Sequence, residues 1–279
     1  MTALTTTRPA WLTGRAGRAM LLTLALMALR VPVGLVLDLL PKGTDPAIFY
    51  ARLCLQEALL WGLPALLLRP FRMEGQPVRT RCRGACLAAL LLGAAAQLAL
   101  SPVTALWATW TGAPMSALCL PKNEAQWLLA VLALCVAPAL CEEAFFRGGV
   151  LTGLTDAASR CTALALSTLL FALMHGSLAG LPAHLIISLL AGLCMLRWGM
   201  LRVCMLLHLG YNAMALLTPA LPVSLGVSAP LGLLLAAAGL WMAGGVPWQG
   251  RHGRMGLPEG LMCALAIVCA ALAYLPELI

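Results

Sequence analysis

The chain alternates between long apolar runs and short stretches that carry charges and turn residues. Most of the runs approach or exceed the roughly 20 residues that a helix needs to cross the hydrocarbon core of a bilayer. Nine apolar segments can be distinguished, at residues 17–40, 48–68, 84–108, 126–155, 161–177, 180–197, 203–219, 226–246 and 259–277. This pattern predicts an all-α fold, a polytopic transmembrane helix bundle of about eight or nine spans.

The composition excludes the other broad classes of protein. Of the 279 residues, 62% are apolar and only 10% are charged. A soluble domain carries about 25% charged and about 45–50% apolar residues, and a disordered chain is poorer still in apolar residues. Because the apolar segments fill almost the whole length, no stretch remains for a separate soluble domain.

The formal net charge of +8 comes from arginines that cluster in alternate loops. They precede the first segment and follow the second, fourth, sixth and eighth: Arg8, Arg15, Arg18, Arg69, Arg72, Arg79, Arg81, Arg83, Arg160, Arg197, Arg202, Arg251 and Arg254. The intervening loops hold only Lys42 and Lys122. Since basic residues collect in cytoplasmic loops, this pattern predicts a cytoplasmic N-terminus. It also accounts for the positive charge without a nucleic-acid partner. The compact spans are typical of a bacterial protein, so the expected location is a bacterial inner membrane.

A few ionisable residues lie inside the apolar segments, where a charge costs several kcal/mol unless it has a partner or a function. Arg30 on the first segment and Glu57 on the second are expected to pair across neighbouring helices. His184, at the start of the sixth segment, has no partner at helical spacing, and a structural role is expected for it.

Two adjacent glutamates, Glu142 and Glu143, lie in the middle of the fourth segment. Glu143 and Arg147 are four residues apart, the spacing and order of an ion pair on one helix face. Glu142 points about 100° away from Glu143 and lacks that partner. The spacing therefore predicts one glutamate held by the arginine and one that is free.

Two histidines lie in the following segments, each with a residue of interest four positions away. Phe171 and His175 share a helix face, and so do His208 and Asn212. The helical rise places Glu142 and His175 at similar depths near the middle of the membrane. His208 reaches that depth only if the turn at 197–202 dips inward or its helix tilts.

A free carboxylate, two imidazoles and an amide in a dry bundle are suited to hydrolysis. Glu142, helped by His175, could take a proton from water, and His208 and Asn212 could donate hydrogen bonds to an oxyanion. Alternatively Glu142, His175 and His208 could hold zinc or another divalent metal with one open position. The residues alone leave both possibilities open.

At these positions the chain resembles the CPBP family (CAAX protease and bacteriocin-processing, also called Abi) of intramembrane endopeptidases. The three family motifs EExxxR, FxxxH and HxxxN occur in family order, at Glu142–Arg147, Phe171–His175 and His208–Asn212. The resemblance covers roughly residues 125–217. It divides the chain into N-terminal transmembrane segments (1–124), a catalytic core (125–217) and C-terminal transmembrane segments (218–279).

The resemblance implies a helical bundle of about eight spans around a polar cavity open to the cytosol. It implies that Glu142 activates water with help from His175, that Glu143, Arg147 and Phe171 shape the site, and that His208 and Asn212 bind the oxyanion. Family members have been described both as glutamate proteases and as metalloproteases, so a metal stays an open alternative.

The expected partners are the lipid bilayer and a membrane-presented peptide or protein substrate: a CAAX-like tail, a bacteriocin precursor or a sorting tail. Two other functions are compatible with the same residues. One is a non-catalytic bacteriocin-immunity or membrane partner protein. The other is a small ion-coupled transporter that uses the polar cluster as a relay.

Overall fold

The computed structural model describes residues 14–39, 45–68, 83–114, 119–220, 225–246 and 257–272. These ranges contain nine helices and no strand: α1 (Arg15–Asp38), α2 (Pro46–Leu68), α3 (Arg83–Thr111), α4 (Glu124–Ala157), α5 (Arg160–Met174), α6 (Leu181–Trp198), α7 (Leu201–Leu217), α8 (Leu225–Gly244) and α9 (Leu257–Leu272). Each helix coincides within a few residues with one predicted apolar segment. The predicted all-helical class is confirmed.

Six of the helices in the described ranges, α1 to α4, α6 and α8, are long and apolar enough to cross a membrane. The other three, α5, α7 and α9, are shorter apolar helices, so the count of eight or nine spans stays a prediction. Leucines on several helices face outward, as expected of a surface in contact with lipid: Leu66, Leu106, Leu233 and Leu240 are each more than 70% exposed. The protein is therefore a multi-pass membrane protein.

Several loop residues used to predict orientation lie outside the described residues: Arg8, Lys42, Arg69, Arg72, Arg79, Arg81, Arg251 and Arg254. A cytoplasmic N-terminus thus stays a prediction, as does a cavity that opens to the cytosol.

Helix α2 is held beside α4 at its N-terminus. The Asp45 carboxylate accepts a hydrogen bond from the Ala47 amide at 2.9 Å, which caps α2, and Pro46 occupies the first turn, where a missing N–H costs nothing. The same Asp45 oxygen accepts a hydrogen bond from Gln126 Nε2 at 2.9 Å. Since Gln126 lies in the first turn of α4, one carboxylate aligns the starts of both helices.

Helices α2 and α4 are both irregular where they approach each other. A π-helical turn occupies Ala58–Gly62 in α2, and two more occupy Leu132–Val136 and Ala144–Leu151 in α4. The last of these begins directly after Glu143. Such π turns are found frequently at functional sites, because they change the direction of the side chains around them.

Helices α3 and α7 approach closely through two glycines. A Cβ atom on Gly93 would collide with the Leu207 carbonyl oxygen and lie 2.8 Å from the Tyr211 amide nitrogen. A Cβ atom on Gly210 would collide with the Leu90 carbonyl group. Small residues allow such approach between membrane helices. This contact holds α7, which carries His208, against α3.

We expect Gly93→Ala to destabilise the protein by about 1–3 kcal/mol, because the new methyl group meets backbone atoms that cannot move independently. The change would be measured by thermal unfolding in detergent. Gly232→Ala on α8 is the matched control, since a Cβ atom there meets open space. Equal unfolding temperatures for the two variants would contradict the close approach of α3 and α7.

Candidate active site

Glu143 connects α4 to α7 through a shared carboxylate oxygen. Its Oε1 atom lies 2.9 Å from Arg147 Nη1 and 2.9 Å from His208 Nδ1. The contact with Arg147 is the predicted ion pair, whereas the contact with His208 was not expected from the sequence. Because a carboxylate can only accept, Nδ1–H of His208 donates and Nε2 remains available on the other side of the ring.

Arg147 is fully buried, contacts two further helices of the bundle directly and is connected to a third through Glu143. Its Nη2 atom donates a hydrogen bond to the Ser188 carbonyl oxygen on α6 at 3.1 Å. Its guanidinium group lies 4.4 Å from the centre of the Phe171 ring on α5. Through Glu143 it is also connected to His208 on α7. A buried cation with an anionic partner and additional hydrogen bonds organises its surroundings.

Glu142 faces the end of α5 rather than Arg147. Its Oε2 atom lies 3.5 Å from His175 Nε2, and the Glu142 side chain is buried while that of His175 is 21% exposed. His175 Nδ1 lies 2.8 Å from the Phe171 carbonyl oxygen, which can only accept, so Nδ1 carries a proton. The Nε2 atom is therefore directed toward Glu142, and the pair is reachable from the His175 side.

Phe171 separates the two histidines. Its ring centre lies 4.5 Å from that of His175, 6.0 Å from that of His208 and 5.0 Å from that of Phe146. With Arg147 on its face, this ring fills the space between the two carboxylate–imidazole pairs. The pairs Glu142–His175 and Glu143–His208 are thus adjacent but distinct.

Asn212 and His184 are the two remaining polar residues of interest near the site. Asn212 lies one turn beyond His208 and is half-buried, and its side chain makes no hydrogen bond with the described residues, so its predicted role stays a prediction. The His184 ring, by contrast, lies with its centre 4.0 Å from that of His175. Its Nδ1 atom is buried without a hydrogen-bond partner in the described part of the chain.

Glu57 also reaches the site, from α2. Its carboxyl group is in hydrogen-bonding contact with that of Glu142 and within electrostatic range of Arg30 on α1. Arg30 in turn donates a hydrogen bond to the Met174 carbonyl oxygen, next to His175. The predicted proximity of Arg30 and Glu57 is found. The sequence pattern contains no signal for the contact between Glu57 and Glu142.

The donors do not converge on a metal site. Among the residues that the structure describes, no group of three or more His, Cys, Asp or Glu side chains could hold a metal ion. In the alternative set, Glu142 and His175 face each other, whereas His208 contacts Glu143 through Nδ1 and keeps Nε2 available. The three residues are not gathered as one metal-binding group in the described part of the chain, and a metal stays a prediction.

Two buried carboxylate–imidazole pairs between the helices of a multi-pass membrane protein form a site that can move protons within the bilayer. Residues 124–214 match a family model described as type II CAAX prenyl endopeptidase Rce1-like. The predicted resemblance to the CPBP family is therefore confirmed over this segment, about a third of the chain, which contains all three motifs. The match supports a CAAX-type intramembrane protease. No curated protein and no solved structure matches the chain significantly.

Proposed function

We propose that the protein is an intramembrane endopeptidase that hydrolyses a peptide bond of a membrane-presented substrate through water activated by Glu142 and His175. The observation that carries the proposal is the contact of 3.5 Å between the buried Glu142 carboxylate and His175 Nε2, inside the segment that matches the protease family. A general base whose neighbour can carry the proton onward can serve both the attack of water and the departure of the amine, and this pair has that arrangement.

In the proposed reaction, Glu142 removes a proton from the attacking water. His175 is held by the hydrogen bond from its Nδ1–H to the Phe171 carbonyl, so its Nε2 atom can receive that proton and deliver it to the leaving amine. The same pair therefore acts as base in the first step and as acid in the second. Burial excludes bulk water, which would compete for the proton.

His208 is proposed to stabilise the oxyanion that forms on the substrate carbonyl. The Glu143 carboxylate accepts from His208 Nδ1–H and orients the ring, and in the doubly protonated ring Nε2–H can donate to the oxyanion. Asn212, one turn along α7, is proposed as the second donor. In this mechanism Glu143 forms an ion pair with Arg147, orients His208 by a hydrogen bond and shapes the site.

Metal chelators are expected to leave the reaction rate within about twofold of the untreated rate, because no step is assigned to a metal. The measurement compares initial rates with and without 1,10-phenanthroline, and a zinc protease assayed in the same detergent serves as control. Loss of activity that added zinc restores would contradict water activation by the glutamate–histidine pair.

The substrate class proposed is a CAAX-like tail, in keeping with the description of the matching family model. Bacteriocin precursors and sorting tails are the other membrane-presented peptides of suitable chemistry. We place the protein in a bacterial inner membrane with its N-terminus in the cytoplasm and the site open to the cytosol. The distribution of arginines among the loops supports the cytoplasmic N-terminus.

The deciding experiment uses purified protein in proteoliposomes with three peptides: a prenylated CAAX peptide, the same peptide without the lipid, and a lipidated peptide of unrelated sequence. Mass spectrometry identifies the bond that is cut. We expect cleavage of the first peptide by the wild-type chain and not by Glu142→Gln. If none is cut, peptides that accumulate in host membranes with Glu142→Gln would identify another substrate. The absence of any such peptide would contradict a protease.

A further inference from the structure

Glu57 lies where α2 packs against the part of α4 that carries the two glutamates. One turn after Glu57, the Trp61 ring contacts the rings of Phe145 and Phe146, with centres 5.7 and 5.2 Å apart. A Cβ atom on Gly62 would lie 3.1 Å from Cys141 Sγ. These contacts lie on both sides of the two glutamates along α4, and the Glu57 side chain is directed into the same interface.

The carboxyl groups of Glu57 and Glu142 meet where α2 packs against α4. Glu57 Oε2 and Glu142 Oε2 are both buried, and neither has a hydrogen-bond partner among the donors of the described residues. The two side chains are nevertheless in hydrogen-bonding contact. Two ionised carboxylates cannot form a hydrogen bond, because both only accept. The contact is therefore a hydrogen bond only when one of the two carboxyl groups carries a proton.

The charges around the pair decide which carboxyl group keeps that proton. Glu142 is surrounded by the cationic or protonatable groups of the site, namely His175, His208 and Arg147. Glu57 has Arg30 from α1, and two thiols lie within electrostatic range of the pair, Cys141 on α4 and Cys54 on α2 itself. The negative charge is better stabilised on Glu142, and the proton is better placed on Glu57.

We propose that Glu57 is a positioning residue of the hydrolytic site, whose carboxylic acid donates a hydrogen bond to the Glu142 carboxylate and holds it toward His175. This inference rests on the proposed function of Glu142 as the base. It extends the site beyond the segment 124–214 that matches the family model, since Glu57 belongs to α2. The π turn at Ala58–Gly62 starts immediately after Glu57, at a place where such irregularities often accompany function.

The test compares Glu57→Met, which cannot donate, with Glu57→Gln, whose amide can donate the same hydrogen bond. With the peptide that the wild-type chain cleaves, we expect Glu57→Met to lower kcat by about 10- to 100-fold with KM within about twofold of wild type. We expect Glu57→Gln to retain at least about a third of the wild-type kcat. Glu124→Gln, an exposed glutamate at the start of α4, is the matched control and is expected to behave as wild type.

Two results would overturn the inference: wild-type kcat in Glu57→Met, or a folded Glu57→Gln as slow as Glu57→Met. If Glu57→Met does not fold, Glu57→Asp replaces it, because the shorter acid cannot reach Glu142, and an unchanged kcat there overturns the inference equally. Glu142→Gln separates the two proposals. Full activity of Glu142→Gln refutes the proposed function, whereas an inactive Glu142→Gln beside a fully active Glu57→Met refutes only the role of Glu57.

Discussion

Replacing Glu142 by Gln is expected to lower kcat by about 10²- to 10⁴-fold while leaving KM close to the wild-type value. Glutamine has nearly the same shape as glutamate, but its amide cannot accept the proton of the attacking water. Substrate binding depends on other groups, so the loss falls on the chemical step. The measurement is steady-state kinetics on the prenylated peptide with purified protein in proteoliposomes.

Glu124→Gln is again the control for this prediction, because it makes the same chemical change on the same helix. Glu124 is exposed in the first turn of α4 and far along the helix from the site. The kcat value of Glu124→Gln is expected to equal that of wild type. Activity in Glu142→Gln comparable with that of the control would show that Glu142 is not the base. Absence of cleavage by the wild-type chain itself would instead favour a non-catalytic membrane partner or a transporter.

Removing the Arg147 charge is expected to have the largest effect on stability. Arg147→Met leaves the Glu143 carboxylate buried without its cation, and breaking a buried ion pair from one side costs about 3–5 kcal/mol. Glu143 Oε2 already lacks a donor among the described residues, and His208 Nδ1–H is then the remaining donor to the carboxylate. Thermal unfolding in detergent measures the loss, and Arg18→Met, an exposed arginine on α1, is the control.

The double variant Glu143→Gln/Arg147→Met distinguishes the structural role of the pair from its role at the site. Removing both charges is expected to restore the free energy of unfolding to within about 1–2 kcal/mol of wild type, because no unpaired charge remains. The kcat value is expected to stay at least about tenfold below wild type, because a neutral amide no longer orients His208 as the Glu143 carboxylate does. Full recovery of kcat would show that Glu143 serves stability alone.

Much of the fold could be predicted from the sequence because apolar segments and helix ends are local properties. The nine apolar segments correspond to α1 to α9, and the starts of α2, α4 and α5 carry capping side chains from Asp45, Asn123 and Ser159. A cap acts on its own first turn, so its effect can be predicted without knowledge of the rest of the chain. The number of spans is less predictable, since α5, α7 and α9 are short.

The site could be predicted only where its contacts lie within one helix. The Glu143–Arg147 ion pair follows from residues four positions apart on α4. The contacts Glu143–His208, Glu57–Glu142 and His175–His184 connect residues on different elements, and nothing in the spacing along the chain indicates them. His208 does reach the glutamates, although its distance from the turn at 197–202 made this uncertain from helical rise alone.

The sequence by itself determined that this is an all-helical membrane protein and, to within a few residues, where its helices lie, and it contains the three motifs to which the proposed chemistry is assigned. Hydropathy and helical period depend only on neighbouring residues, so they are already present in the order of amino acids. Only the tertiary structure decided which imidazole faces which carboxylate, and that Glu57 joins Glu142. Those contacts depend on the distance between the helices and on the rotation of each helix about its axis. The π turns of α2 and α4 change the rotation, and the close approach at Gly93 and Gly210 determines the distance.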